Sequence, residues 1–222
     1  MEFESAGKLI RLHGTEKGSP LIIMNTAGTE SSAVFECAKK LTASPFTLAS
    51  VSGIKWNDEM TPWPSPPVSS WDTPYSGLAD KYLTQLKETI ILEIIRRLGA
   101  EPEYIAAAGY SLGGLFALYA LFRTDIFSRA ASISGSLWYP GFADFAAVNE
   151  LKCSPSLIYV SLGDREAKKG SSVMRSVQEK TESIVSAFRQ KGMNVIFEMN
   201  PGSHFSQPEM RTATAIKALL SV

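Results

Sequence analysis

From residue 20 to its last helix, the chain alternates short apolar runs with longer amphipathic stretches. Residues 20–24 read as a buried strand closed by a turn at 25–28, and 32–41 as a helix. Residues 46–51 form a second strand. Over 78–98 the apolar residues Leu78, Tyr82, Leu86, Ile90, Ile91, Ile94, Ile95 and Leu98 return at the helical period, and Gly99 suits the left-handed backbone that ends such a helix. Then come strand 104–108, helix 112–122, strands 130–134 and 157–162, helix 173–191, strand 195–199 and helix 207–220. A strand-then-helix rhythm of this kind predicts an α/β fold: a mainly parallel sheet with helices on both faces.

Size and charge narrow the classes. The 222 residues are expected to form one domain, 1–222, large enough to fold without a disulfide or metal staple. Lysine plus arginine and aspartate plus glutamate both number 22, so no long-range field favours a nucleic acid. Cys37 and Cys153 read as reduced thiols. Residues 1–14 lack the apolar stretch of a signal peptide, and no run approaches the ~18 apolar residues of a membrane span. A cytoplasmic protein with no membrane partner is expected.

Residues 54–75 break the rhythm. They hold three of the four tryptophans (Trp56, Trp63, Trp71) and five of the twelve prolines. Proline removes amide donors and fixes φ, so the segment is expected to be irregular. Its tryptophans can pack over the sheet edge or wall a binding site.

The chemistry centres on Gly109-Tyr110-Ser111-Leu112-Gly113, a G-x-S-x-G motif with a strand before it and a helix after it. A serine on so sharp a turn needs small neighbours two positions away, and the following helix end offers amides to a developing oxyanion. A serine hydroxyl needs a base. Of the two histidines, His13 precedes the first confident strand, whereas His204 follows the last one, where the order Ser, acid, His places the base. The acid belongs after strand 157–162, where Gly163-Asp164-Arg165-Glu166 supplies two carboxylates, both able to reach an imidazole.

The elbow, the 57–67 stretch with Thr61-Pro62-Trp63, the 161–166 loop and Gly202-Ser203-His204-Phe205 together resemble the putative-esterase family of α/β-hydrolases, which includes esterase D-type, feruloyl and enterobactin-type siderophore esterases. The siderophore-esterase branch looks nearest. The resemblance implies an α/β-hydrolase fold with minimal N-terminal strands and no cap domain. It implies Ser111 as nucleophile, His204 as base and Glu166, at the last position of the Gly-x-x-acid loop, as acid, with Asp164 as the alternative. Where many relatives carry a His-Gly or Asp-Gly turn, this chain has Asn25-Thr26-Ala27-Gly28. The oxyanion donors expected are therefore the Leu112 amide and that of Thr26 or Ala27. Tyr110, Trp56, Trp63 and Trp138 are the expected substrate contacts, Trp138 opening a small flap over 138–151.

The expected activity is that of a serine carboxylesterase acting on a small-molecule ester without metal or organic cofactor. A thioesterase or acyltransferase on the same residues, or a non-catalytic module of this fold, are the competing readings. Zero net charge weighs against a highly anionic substrate.

Overall fold

A computed structural model describes residues 1–28, 30–69 and 73–221. Trp71 lies outside the described residues. The chain forms a mainly parallel sheet of eight strands in the order β1-β2-β4-β3-β7-β8-β9-β10. Two short N-terminal strands, β1 (Glu2–Ser5) and β2 (Lys8–His13), form an antiparallel edge, and β2 runs antiparallel to β4 (Thr47–Ser52). β3 (Leu21–Asn25), β7 (Ile105–Tyr110), β8 (Arg129–Ile133), β9 (Leu157–Gly163) and β10 (Val195–Asn200) continue it in parallel.

The inner parallel strands β3, β7, β8 and β9 are buried on both faces, so their residues divide by parity. Ile22, Met24, Ala106, Ala108, Ala131 and Tyr159 point into one apolar layer. α1 (Ser31–Leu41) and α9 (Pro208–Leu220) cover that layer through Val34, Ala38, Ala213 and Ile216. Leu21, Ile23, Ala107, Ala130 and Ile158 point into the other. There α3 (Ala79–Gln85), α4 (Ile91–Leu98), α5 (Leu112–Ala120), α6 (Phe142–Val148) and α8 (Val177–Gln190) pack. Every residue of α5 is buried, as a helix that is apolar all round requires.

Two helices depart from the sequence expectation. The helix over 78–98 carries a π turn at Leu86–Ile90 between α3 and α4. Its buried positions Tyr82, Leu86, Ile90 and Ile94 recur every four residues, which drifts around a 3.6-residue helix; the wider turn brings the stripe back to the core. The helix expected over 173–191 is divided into α7 (Ser172–Arg175) and α8 by Ser176, whose hydroxyl donates to the Val173 carbonyl (2.6 Å).

Residues 54–75 are not wholly irregular either. They begin α2 (Trp56–Glu59) and hold β5 (Pro64–Ser65), which pairs with β6 (Tyr75–Ser76) in a two-residue ribbon. Residues 138–151 form no flap. Phe142, Ala143 and Ala146 of α6 are buried in the apolar layer beside α8. Among the described residues no helix is long and apolar enough to cross a membrane.

The topology also sets where a site can form. The chain leaves β3 toward β4 on one side and reaches β7, then β8 to β10, on the other. The carboxyl ends of β3 and β7, paired through Asn25 and Gly109, flank the switch point at which open α/β sheets bind ligands.

Candidate active site

At the end of β7 the backbone turns sharply through Ser111, which has φ 56° and ψ −124°. Only short neighbours permit the turn. A Cβ on Gly109 would lie 2.2 Å from the Gly113 backbone, and one on Gly114 would lie 2.9 Å from the Gly109 carbonyl. A side chain at Gly113 would press on the Trp56 ring at 3.2 Å. The strain is held by the ends of two other segments. The Ser111 amide donates to Ile133 O (3.1 Å), and the Ser136 amide donates to Ser111 O (2.9 Å). The Ser136 hydroxyl stands 3.2 Å from Ser111 Oγ.

His204 arrives on the loop between β10 and α9. Its Nε2 is 3.2 Å from Ser111 Oγ, and its Nδ1 is 2.8 Å from Glu166 Oε2. Glu166 follows β9 in a short 3-10 turn, with its side chain 4% exposed. Burial pushes the carboxyl pKa up. Hydrogen bonds from His204 and Ser134, the His204 charge and the Gly163 amide outweigh that and hold it below the ordinary carboxylate value. Asp164 goes elsewhere: its side chain is 51% exposed and accepts from the Gly202 amide (2.7 Å). Of the two carboxylates on the loop, the one at the imidazole is Glu166.

The oxyanion expectation needs one correction. The Thr26 amide donates to Val51 O (3.0 Å), continuing the β3–β4 ladder, and is not available to a substrate. Ala27 lines the cavity beside Ser111. Leu112 opens α5 with its amide in the unpaired first turn. Leu112 and Ala27 remain as the candidate pair.

Above Ser111 lies a cavity of about 370 Å³. Met24, Val34, Trp56 and Phe205 give it apolar walls, with Tyr110 and His204 at its floor. Glu30 and Glu209 also line it, and among the described residues no lysine or arginine does.

Two of the expected substrate contacts are not there. Trp63 donates its indole N–H to Pro140 O (2.9 Å) and packs against Phe145, Tyr139 and Tyr119 at ring separations of 5.4, 6.1 and 6.4 Å. Trp138 sits in a separate depression with Tyr139, Ser176 and Lys180. Trp63 thus serves an aromatic layer between α5 and α6, and Trp138 packs on Tyr75 and Tyr139; neither lines the Ser111 cavity.

Sequence reasoning missed Arg211 and Ser134. Arg211, on α9, is 4% exposed and stands behind Glu166. Ser134 turns out of β8 with φ 44°. A lone arginine in an amphipathic helix carries no local signal of burial. Gly135 after Ser134 was a visible hint of a tight turn.

The family model described as Putative esterase matches residues 26–186. An IroE-like serine hydrolase from Shewanella oneidensis has the same fold, with a TM-score of 0.78 at 14% identity over 99% of this chain and 79% of that one. The siderophore hydrolase EstA from Aspergillus nidulans gives a TM-score of 0.75 at 17% identity over 97% and 91%. The uncharacterized protein YbbA of Bacillus subtilis (strain 168) is 30% identical over 138 residues, 61% of this chain. That match spans 55% of YbbA, about half its length.

Proposed function

This chain belongs to the Putative esterase family, and from that premise we propose that it is a serine carboxylesterase working through Ser111, His204 and Glu166. One observation carries the reading: an unbroken hydrogen-bonded path from Ser111 Oγ through both ring nitrogens of His204 to Glu166 Oε2, at a strained elbow that opens into a cavity.

His204 Nε2 takes the Ser111 proton as Oγ attacks the ester carbonyl. Glu166 holds the ring in the tautomer with Nδ1–H and stabilises the imidazolium that forms. The amides of Leu112 and Ala27, with the N-terminal end of α5, receive the oxyanion. The tetrahedral intermediate then collapses, and its C–O bond breaks as His204 returns the proton to the leaving alcohol. Water, deprotonated by His204, next attacks the acyl-Ser111 carbonyl; His204 returns that proton to Ser111 Oγ as the acyl C–Oγ bond breaks, releasing the acid and restoring the serine.

For the substrate, the relatives' names point to siderophores, but the cavity supports a narrower statement. The part of the ester that enters it is compact and carries no negative charge, because among the described residues two carboxylates and no cation line it. A cytoplasmic location belongs to the same reading, supported by the free thiols of Cys37 and Cys153.

A fluorophosphonate probe tests the proposal. It should label wild-type protein at Ser111 and abolish hydrolysis of a neutral p-nitrophenyl ester in step with labelling. Wild-type protein that is folded yet neither labelled nor active would overturn it.

A further inference from the structure

Arg211 reaches the ends of four neighbouring strands behind the site, β7, β8, β9 and β10. From α9, its Nη1 reaches Ser134 Oγ after β8 (3.1 Å), Glu166 Oε1 after β9 (3.4 Å) and the Tyr110 hydroxyl at the end of β7 (3.5 Å). Its Nη2 donates to Pro201 O after β10 (2.9 Å). The Tyr110 hydroxyl passes the contact on by donating to the carbonyl of His204 itself (2.6 Å).

Two glycines keep the space for this guanidinium. A Cβ on Gly163 would meet Gly202 O at 2.5 Å, Glu166 Oε1 at 2.8 Å and Arg211 Nη1 at 3.1 Å. A Cβ on Gly202, where φ is 107°, would meet Ser206 Oγ at 2.5 Å and Arg211 Nη2 at 3.5 Å.

Burying a guanidinium carries a desolvation cost that its ion pair need not recover, so stability alone is a weak reason for one here. The planar fork, in contrast, can hold several acceptors in fixed relative positions. Resting on the Ser111–His204–Glu166 reading above, we propose that Arg211 is a positioning residue of the hydrolytic site. It fixes Glu166 Oε1 so that Oε2 faces His204, and it registers the His204 loop against the elbow through Tyr110.

Its charge acts in the same place. Among the described residues the charged and titratable groups facing Glu166 are His204, Arg211 and Tyr110; Asp164 and Arg165, on its own loop, have side chains 51% and 69% exposed. Arg211 draws on the negative charge that Glu166 presents to the imidazole. Without it, Glu166 Oε1 loses its charged partner, and the carboxylate can turn away from His204 Nδ1.

The test uses Arg211→Met and Arg211→Lys in the full chain, with two readouts. One is kcat and KM on a p-nitrophenyl ester. The other is the downfield proton resonance of His204 Nδ1–H at fixed pH, which reports the hydrogen bond to Glu166 and needs no substrate. Arg211→Met should lower kcat by about 100-fold with little change in KM, as for a displaced catalytic group. It should also move or broaden that resonance, as the Glu166–His204 hydrogen bond loosens. Arg211→Lys, which keeps the charge and loses the fork, should lower kcat less and leave the resonance closer to that of wild type.

A folded Arg211→Met protein with wild-type kcat and an unmoved Nδ1–H resonance would make Arg211 a structural anchor only and overturn the proposal. If the Met variant does not fold, the Lys variant decides: a kcat loss at constant KM supports positioning, and wild-type kcat overturns it. Should wild-type protein hydrolyse no ester, the esterase reading fails separately, and the resonance still reports whether Arg211 governs the Glu166–His204 pair.

Discussion

The loop after β9 and the segment from Trp56 to Ser76 both offer an abundance of one kind of residue, carboxylates in the first and aromatic rings in the second. In each the structure uses one member at the site and spends the other on architecture. Glu166 is buried against His204, while Asp164 two residues earlier caps the Gly202 amide from a half-exposed position. Trp56 lines the Ser111 cavity, while Trp63 seven residues later closes an aromatic layer. Residue type gives the capacity for a role. The backbone around it decides which member takes it: Glu166 stands in a 3-10 turn and Trp56 at the start of α2, whereas Asp164 lies in the turn before the one and Trp63 in the bend after the other.

The largest effect tests the frame that both regions share. Ser111→Ala should cost on the order of 10⁶-fold in kcat with the thermal midpoint little changed, since the Ser111 backbone rather than its hydroxyl makes the turn. Residual hydrolysis within 100-fold of wild type would place the nucleophile elsewhere.

The next prediction tries to break the carboxylate pair. Glu166→Gln should lower kcat by about 10⁴-fold, because an amide can favour the wrong imidazole tautomer. Asp164→Asn should lower it less than about tenfold. Equal losses would erase the distinction. The pH dependence has a definite sign. The folded-state carboxyl of Glu166 is held below its ordinary value of ~4.3. Its ionised form therefore contributes stability fully above that value, and the contribution is lost as pH falls through the lower folded-state value. The difference in thermal midpoint between wild type and Glu166→Gln should stay constant from neutrality to about pH 5 and shrink on further acidification. A difference that shrinks already near neutrality would contradict the depressed pKa.

The aromatic pair gives a smaller and opposite-sided effect. Trp63→Ala removes a ring packed against Tyr119, Tyr139 and Phe145 and should cost about 3 kcal/mol of stability, with the folded fraction keeping its ester preference. Trp56→Ala should cost less stability and change KM and the ranking of acyl groups. Denaturant unfolding beside an ester panel separates the two, and an exchange of these phenotypes would reverse the assignment of the cavity wall.

Much of this was legible before any coordinates. Strand–helix alternation gave the sheet and both helical layers, because buried parallel strands leave continuous apolar runs such as 21–24 and 157–160. The elbow was legible because its glycines are sterically compelled, and His204 because few histidines compete. The acid was half legible: residue type and loop were clear, but choosing Glu166 over Asp164 needed the family resemblance. Arg211 was not legible, since its contacts to other side chains join residues 45 to 101 positions away and leave no periodic trace. Nor was the loss of the Thr26 amide, which follows from strand register with Val51 rather than from any property of threonine.

The smallest prediction concerns a second pair, Glu30 and Glu209, which face the cavity from the N-terminal ends of α1 and α9. Each helix end contributes about half a positive charge, less than the full negative charge of the glutamate beside it, so the cavity keeps a negative balance. Neither glutamate forms an ion pair among the described residues. One unit charge acting across a partly screened cavity shifts binding by about 1 kcal/mol, or roughly fivefold. Glu30→Gln should therefore raise kcat/KM for an ester with a carboxylate on its acyl chain, relative to the uncharged ester of equal length, by about that factor. It should lower the corresponding ratio for an ammonium-bearing ester. Glu209→Gln should do the same, and the double substitution should approach the product of the two if the glutamates act as separate charges. The ratios are read on a matched series of three p-nitrophenyl esters at low ionic strength, and salt should compress them. Ratios that ignore both substitutions would mean that the ester lies beyond the reach of these carboxylates, and that the walls of Trp56 and Phe205 select it by shape alone.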